Sequence, residues 1–496
     1  MTVMISLPVV IPLIAAGLML LTPSRLAQRI LNTIATFAHL CVGAWLLWYV
    51  MAHGIQAVQM GNWPAPFGIS FVADTLSASM VLITGFMGFL VGLFALSDID
   101  KEHEHFGFYP LYQILIMGVT GAFLTGDLFN MFVWFEVMLM ASFVLLALGG
   151  RRAQLEGSVK YLVLNFLSSG LFLTAIGILY AEVGTLNIAA IGRLVAESER
   201  SLSIMTVAML LLVSFGLKAA VFPLFSWLPA SYHTPPVTVS AIFAGLLTKV
   251  GVYALIRVFT VIFTADVAFT HGLILVISIL TMITGVLGAA AHFEIRRILS
   301  FHIVSQIGYM TLGLGLFTAP ALAAATFYIL HHIIVKTNLF LISGTIRHIK
   351  GSEELKKIGG LYKMYPWLAL LFLIPAMSLG GVPPLSGFFA KFTLVREAMG
   401  IGAYISVGVA LLVGVLTLYS MTKIWAEAFW KPDPDEEREK EVKRIPVMMW
   451  VPIAVMAAAT LCIGFYPEWL LTIANRAGEE LMDPSRYIQA VLEPRQ

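Results

Sequence analysis

The chain has 496 residues, of which 59% are hydrophobic and only 12% charged, and its mean hydropathy is +0.90. Soluble domains carry about 25% charge, so a soluble enzyme is excluded. Thirty Lys and Arg against twenty-eight Asp and Glu leave a net charge of +2, too small to draw in nucleic acid or an acidic partner.

In chain order, apolar runs fall at about 3–22, 31–51, 71–97, 109–127, 129–149, 159–182, 204–228, 236–260, 271–292, 297–318, 321–345, 366–395, 404–430 and 447–473. Each is long enough to cross a hydrocarbon layer of about 30 Å. The runs lack period-2 alternation, and backbone groups in lipid must bond within their own segment, so the expected fold is an all-α polytopic bundle of about 14 spans. The opening run has no basic residues ahead of it and is expected to be the first span rather than a signal peptide.

Eighteen of the thirty basic residues lie in the odd-numbered connections and seven in the even ones and the C-terminal tail, Arg193, Arg200, Arg257, Arg396, Arg476, Arg486 and Arg495. Positive charge stays on the cytoplasmic side, which predicts both termini outside. Cys41 and Cys462 sit in apolar runs with no CxxC or Cys/His cluster, so no disulfide framework, zinc site or iron-sulfur cluster is expected. The mixed-charge run Lys431 to Arg444 is expected to be a solvated connection. The same holds for Asp98 to His105 (DIDKEHEH), whose other reading is capture of a divalent cation or of protons at the surface.

The remaining basic residues, Lys218, Lys249, Lys336, Lys391 and Lys423, lie within spans. A charge in mid-bilayer costs about 2.5–3.5 kcal/mol, so such residues call for a role. Glu136, in FNMFVWFEVMLMASF, is the only acid well inside a span. Lys218 and Lys249 fall near the middle of spans seven and eight. Lys336 is as deep in span eleven, with His332 four residues before it and Tyr328 a further turn back, all on one helical face. His302, Ser305, Gln306 and Tyr309 form a second polar stripe on span ten, and Asn165, Ser168 and Ser169 a third on span six.

Four deep lysines against one deep carboxylate leave three without an acidic partner. A desolvated ammonium gives up its proton readily, so these lysines are candidate proton carriers. Pro223 and Pro229 in span seven, and Pro383 with Pro384 in span twelve, each remove a helix hydrogen bond and should break those helices. Paired breaks point to a transport site built on repeats. A bis-His haem protein using His292, His302, His331 or His332 would leave the deep lysines without purpose.

The span-five Glu, the lysines in spans seven and eight, the His-rich span eleven and the span-twelve Lys together resemble the antiporter-like family shared with respiratory complex I. The segment GNWPAPFGISFVADTLSA (Gly61 to Ala78), the length and Lys391 are similar to the D-type branch of Mrp-type multisubunit cation/proton antiporters. The likeness covers essentially the whole chain.

It implies a single membrane domain with three N-terminal helices (1–108), two inverted five-helix units (109–260 and 271–430) and a last helix with tail (447–496). It further implies a switch pair Glu136 and Lys218, a central Lys249, linking groups His331, His332 and Lys336, and an exit lysine, Lys391. The implied activity is Na+/H+ antiport without a cofactor, in a cell-membrane complex with other Mrp subunits. The alternative is a proton-pumping membrane subunit of complex I or of a membrane-bound hydrogenase.

Overall fold

The computed structural model describes residues 2–197, 202–435 and 443–493. Arg200, Arg438, Lys440 and Arg495, all counted in the charge asymmetry, lie outside them, as does the centre of the Lys431 to Arg444 run. Among the described residues twelve helices are long and apolar enough to cross a membrane, and Phe108–Leu124 and Pro366–Gly380 are shorter apolar helices. All fall where apolar runs were expected.

Several boundaries differ from expectation, each for a local reason. Arg25–His53, Arg152–Val183 and Ala319–Lys350 extend into the flanking polar residues, since helices do not stop where hydrophobicity stops. The expected span 447–473 ends at Phe465, before Tyr466 and Pro467, and the chain continues as the amphipathic helices Glu468–Met482 and Pro484–Leu492. The segment after the second span forms an antiparallel hairpin, Gln56–Gln59 with Ser70–Ala73. Its alternation is too short to stand out beside the helical runs.

Acidic residues at the span ends act as helix caps. Asp74, Asp127 and Asp266 each accept a backbone N–H from the first turn of the following helix, satisfying groups that lipid could not. The Asp98 to His105 run is no plain solvated loop. Asp98 caps the start of Val237–Val261 through Thr238, Asp100 caps Lys101–His105, and Glu104 is buried against Arg29.

The interior is mainly apolar but carries lines of buried polar side chains. Val237–Val261, Ile295–Leu316 and Ala319–Lys350 are almost wholly buried within the chain, while the outer helices present Leu, Ile and Val outward. The three central helices carry Lys249, Lys336, His302, His331 and His332, while Lys218 and Lys391 lie on the neighbouring Leu202–Ala219 and Ser386–Gly400. Polar side chains are thus kept from lipid by a shell of helices that the membrane can solvate.

Arg257, assigned from the sequence to a connection, lies inside Val237–Val261, is 2% exposed and pairs with Asp74 at 2.6 Å. Its depth was masked because a single charge does not end an apolar helix that finds a carboxylate. Lys423, on Tyr404–Trp430, caps the end of Val267–Ala291 by donating to the carbonyls of Ala290 (2.8 Å) and His292 (2.7 Å). That capping role accounts for its charge.

Candidate functional site

Glu136 lies on Leu128–Ala147 and is partly exposed at the edge of the chain. Its carboxylate accepts the hydroxyl of Ser169 from Arg152–Val183. Lys218 Nζ donates to the same Ser169 Oγ at 3.2 Å and lies 5.6 Å from the centre of the Phe135 ring. Expected acid and lysine are therefore brought together, with Ser169 between them.

Lys218 sits one residue before the end of Leu202–Ala219, and the chain leaves helical geometry at Ala220 (φ +61°) before Trp227–Ser231 resumes. The Trp227 indole satisfies the freed Leu217 carbonyl at 2.9 Å. Gly251 packs against this break, where a Cβ would stand 2.5 Å from the Ala219 nitrogen, so the helix bearing Lys249 approaches Lys218 closely.

Lys249 is fully buried and donates to the carbonyl of Ala244. That carbonyl is available because Phe243–Leu247 is a wide π-type turn, a feature frequent at functional sites. Beyond it, Gly245 leaves room for Thr337, whose hydroxyl would be 2.5 Å from an added Cβ. Lys336 follows on Ala319–Lys350, donating to the Leu299 carbonyl at 3.3 Å.

The two adjacent histidines diverge. His331 Nδ1 lies 2.8 Å from Ser386 Oγ, at the start of Ser386–Gly400 beyond the second break. Both ring nitrogens of His332 are buried without a protein partner among the described residues, as are those of His302, the side-chain amide of Asn338 and the hydroxyls of Thr248 and Thr337. Polar atoms of this density at membrane depth are met by water in the general case.

Lys391 closes the series. It is half-buried on Ser386–Gly400 and donates to the carbonyls of Leu379 (2.9 Å) and Gly380 (3.1 Å) that the second break frees. Its Nζ lies 5.1 Å from the centre of the Tyr309 ring, which stacks on Tyr328 at 5.1 Å, and Tyr328 stacks in turn near His332. Tyr328 donates to Gln306.

Lys218 thus precedes one break and Lys391 follows the other, as expected from the sequence. Ser169, Thr248, Thr337, Asn338, Ser386 and the Ala244 carbonyl were not singled out as relay partners. Thr248, Thr337 and Asn338 flank Lys249 and Lys336 in sequence, which is the one signal that pointed to them.

Among the described residues no group of three or more His, Cys, Asp or Glu is placed to hold a metal ion. What the site offers is a file of buried ammonium and imidazole groups with a single carboxylate at its edge, the equipment of an ion-translocating membrane protein. The chain belongs to the NADH:quinone oxidoreductase/Mrp antiporter transmembrane family, which matches residues 125–417.

Among curated relatives it is 45% identical to the D subunit of the Na(+)/H(+) antiporter of Alkalihalophilus pseudofirmus, over 99% of both chains. It is 40% identical to the protein of the same name from Bacillus subtilis, over 98% of this chain and 99% of that one. Of solved structures, a chain of the Mrp complex from Dietzia sp. DQ12-45-1b superposes with a TM-score of 0.92 at 33% identity, covering 99% of this chain and 100% of the other.

Proposed function

We propose that the chain is the D-type component of an Mrp multisubunit Na+/H+ antiporter of the cell membrane and that it carries protons laterally through the membrane middle. The observation that carries this reading is the series Lys218, Lys249, Lys336 and Lys391, each held by a hydroxyl or carbonyl oxygen and not by a carboxylate. The chain is a transporter component, and its transported ions are H+ and Na+.

Glu136 acts as the switch. With Glu136 drawn toward Ser169 and Lys218, charge on Lys218 is stabilised; when that link opens, the proton moves toward Lys249 and on through His332 and Lys336, and His331 hands it to the second break. Lys391 governs exchange with the exterior. The asymmetry of basic residues supports both termini lying outside.

The two five-helix units are supported by matching features: two 32-residue helices, Arg152–Val183 and Ala319–Lys350, two broken helices, and two π-type turns at Phe243–Leu247 and Trp425–Trp430. A hard cation prefers several oxygen ligands including carboxylates. With one carboxylate at relay depth, this chain serves the proton limb, and the sodium site lies at least partly in a partner subunit.

The alternative, a proton-pumping component of complex I or a hydrogenase, shares the deep residues; relatives of 45% and 40% identity named as D subunits of a Na(+)/H(+) antiporter favour the first reading. The test is antiport in vesicles with the partner subunits co-expressed. Glu136→Ala is expected to abolish coupled exchange while the complex remains assembled, and full exchange in that variant overturns the switch. Iron-sulfur or flavin proteins co-purifying with the chain would instead support the alternative.

A further inference from the structure

A second polar line lies outside the lysine series and ahead of residue 125, where the family match begins. On Arg25–His53 the residues Arg29, Asn32, Thr36 and His39 recur every three or four positions and share one face. That face is turned inward, with Asn32, Thr36 and His39 no more than 1% exposed.

At its mouth Arg29 Nε meets Glu104 Oε1 at 2.6 Å, and the Tyr109 hydroxyl donates to the same oxygen at 2.9 Å. One turn further in, Gln113 Nε2 donates to Asn32 Oδ1 at 2.9 Å. The line reaches His39, whose Nε2 lies 3.5 Å from Thr120 Oγ1 on Phe108–Leu124. Gly92, on Thr75–Asp98, leaves the space: a Cβ there would stand 3.1 Å from Asn32 Nδ2.

Three polar atoms along this line, Glu104 Oε2, Asn32 Nδ2 and His39 Nδ1, are buried with no protein partner among the described residues. Leaving a polar group buried and unpaired costs more than an interhelical hydrogen bond contributes in a membrane. A stripe that only knitted helices together would not leave three such groups. Each site is polar and the line opens at Arg29, whose side chain is 34% exposed, the setting in which buried polar groups are met by water.

Beyond His39 the line is shut. Gly43 lies against the Leu82 backbone, and Leu46 and Val50 are fully buried apolar residues. His39 is ten residues from Arg29, about 15 Å deep at the helical rise. The titratable groups bonded along the line are Arg29, Glu104 and Tyr109 at the mouth and Tyr112, whose hydroxyl donates to the Gly88 carbonyl at 2.9 Å.

We propose that spans two, three and four enclose a water-filled blind channel, headed by Glu104 and ending on His39, which binds and returns a proton on the face of the first and third connections. An ionisable side chain at this depth in a membrane protein is a functional group by default. Because the channel is closed beyond it, His39 samples the pH of one side and passes no proton across. The site is independent of the lysine series, and the acidic-His run that supplies Glu104 thereby gains a role at the surface.

The test uses the assembled complex in sealed vesicles of each orientation, with Cys41→Ser and Cys462→Ser as background and Asn32→Cys, His39→Cys or Leu46→Cys added singly. Silver ion is the probe, applied to one side, with later maleimide labelling as the readout. Cysteines at 32 and 39 are expected to react at least tenfold faster than the one at 46, and only from the face of the first and third connections. A rate at 39 equal to that at 46, or equal from both sides, overturns the proposal.

Should the His39 variant fail to assemble, exchange of the imidazole C2 hydrogen for deuterium in the unmutated complex, followed by mass spectrometry, decides the same point. Exchange at His39 is expected. None at His39 while the exposed His53 exchanges fully refutes the channel. Neither readout requires antiport, so failure here leaves the lysine relay untouched.

Discussion

Lys218 and Glu136 meet through one hydroxyl: Ser169 donates to the Glu136 carboxylate and accepts from Lys218 Nζ at 3.2 Å. A hydroxyl between acid and ammonium can rotate, so the link opens and closes without moving either helix. Ser169→Ala is expected to lower antiport about tenfold, the equivalent of one charge-assisted hydrogen bond of roughly 1.5 kcal/mol. Rates unchanged in vesicles would show that the link does not gate transfer.

Lys218→Arg separates charge from proton release. Guanidinium keeps its proton in proteins, so this variant retains the attraction to Glu136 yet is expected to lose antiport as severely as Lys249→Ala. Assembly of the complex, checked by co-purification, should stay intact. Antiport at the unmutated rate would exclude Lys218 as a proton donor.

The two histidines are expected to separate by their partners. His331 is tied to Ser386 at the second break, whereas His332 faces the unpartnered interior between the lysines. Ser386→Ala should reproduce a milder form of the defect of His331→Gln, and its loss should add to that of His332→Gln when the two are combined. If the double variant with His332→Gln were instead no worse than Ser386→Ala alone, both groups would serve a single step.

Arg257 and Asp74, 2.6 Å apart and both 2% exposed, form a buried pair at the far end of Val237–Val261. Arg257→Ala strands the Asp74 carboxylate and is expected to cost about 3–5 kcal/mol. Thermal unfolding of the detergent-purified complex should fall measurably. An unchanged midpoint would mean that Asp74 finds another partner, the nearest candidate being the helix that carries Arg476 and Glu480.

Glu294, in the short connection between Val267–Ala291 and Ile295–Leu316, has its carboxyl pushed up to about 7 by burial, against the opposing pull of Arg296. A raised folded-state value means that the folded chain binds this proton more tightly than the unfolded one. Its contribution is therefore fully present below about 4.5 and is lost as pH rises to about 7. Glu294→Gln should remove that segment of the stability-versus-pH curve and leave the curve above 7 parallel to the original. A curve of unchanged shape would place the titration elsewhere.

The helical class, the placement of the long apolar helices and the position of Glu136, Lys218, Lys249, Lys336 and Lys391 on helices were legible in the sequence, because in lipid a long apolar run must close its own hydrogen bonds. The prolines likewise announced the breaks after Lys218 and before Lys391. Pairing was not legible. Which oxygen holds each ammonium depends on the π-type turn that frees the Ala244 carbonyl and on the break that frees those of Leu379 and Gly380, and backbone geometry of that kind leaves little trace in residue type.

Arg257 looked like a connection charge and Glu104 like part of a solvated run, because only folding brings Asp74 and Arg29 to them from residues far away in sequence. The sequence determined which groups must leave water, since that follows from local hydrophobicity. The tertiary structure alone decided what each of them meets there, since partners at hydrogen-bond range come from helices whose packing no single segment encodes.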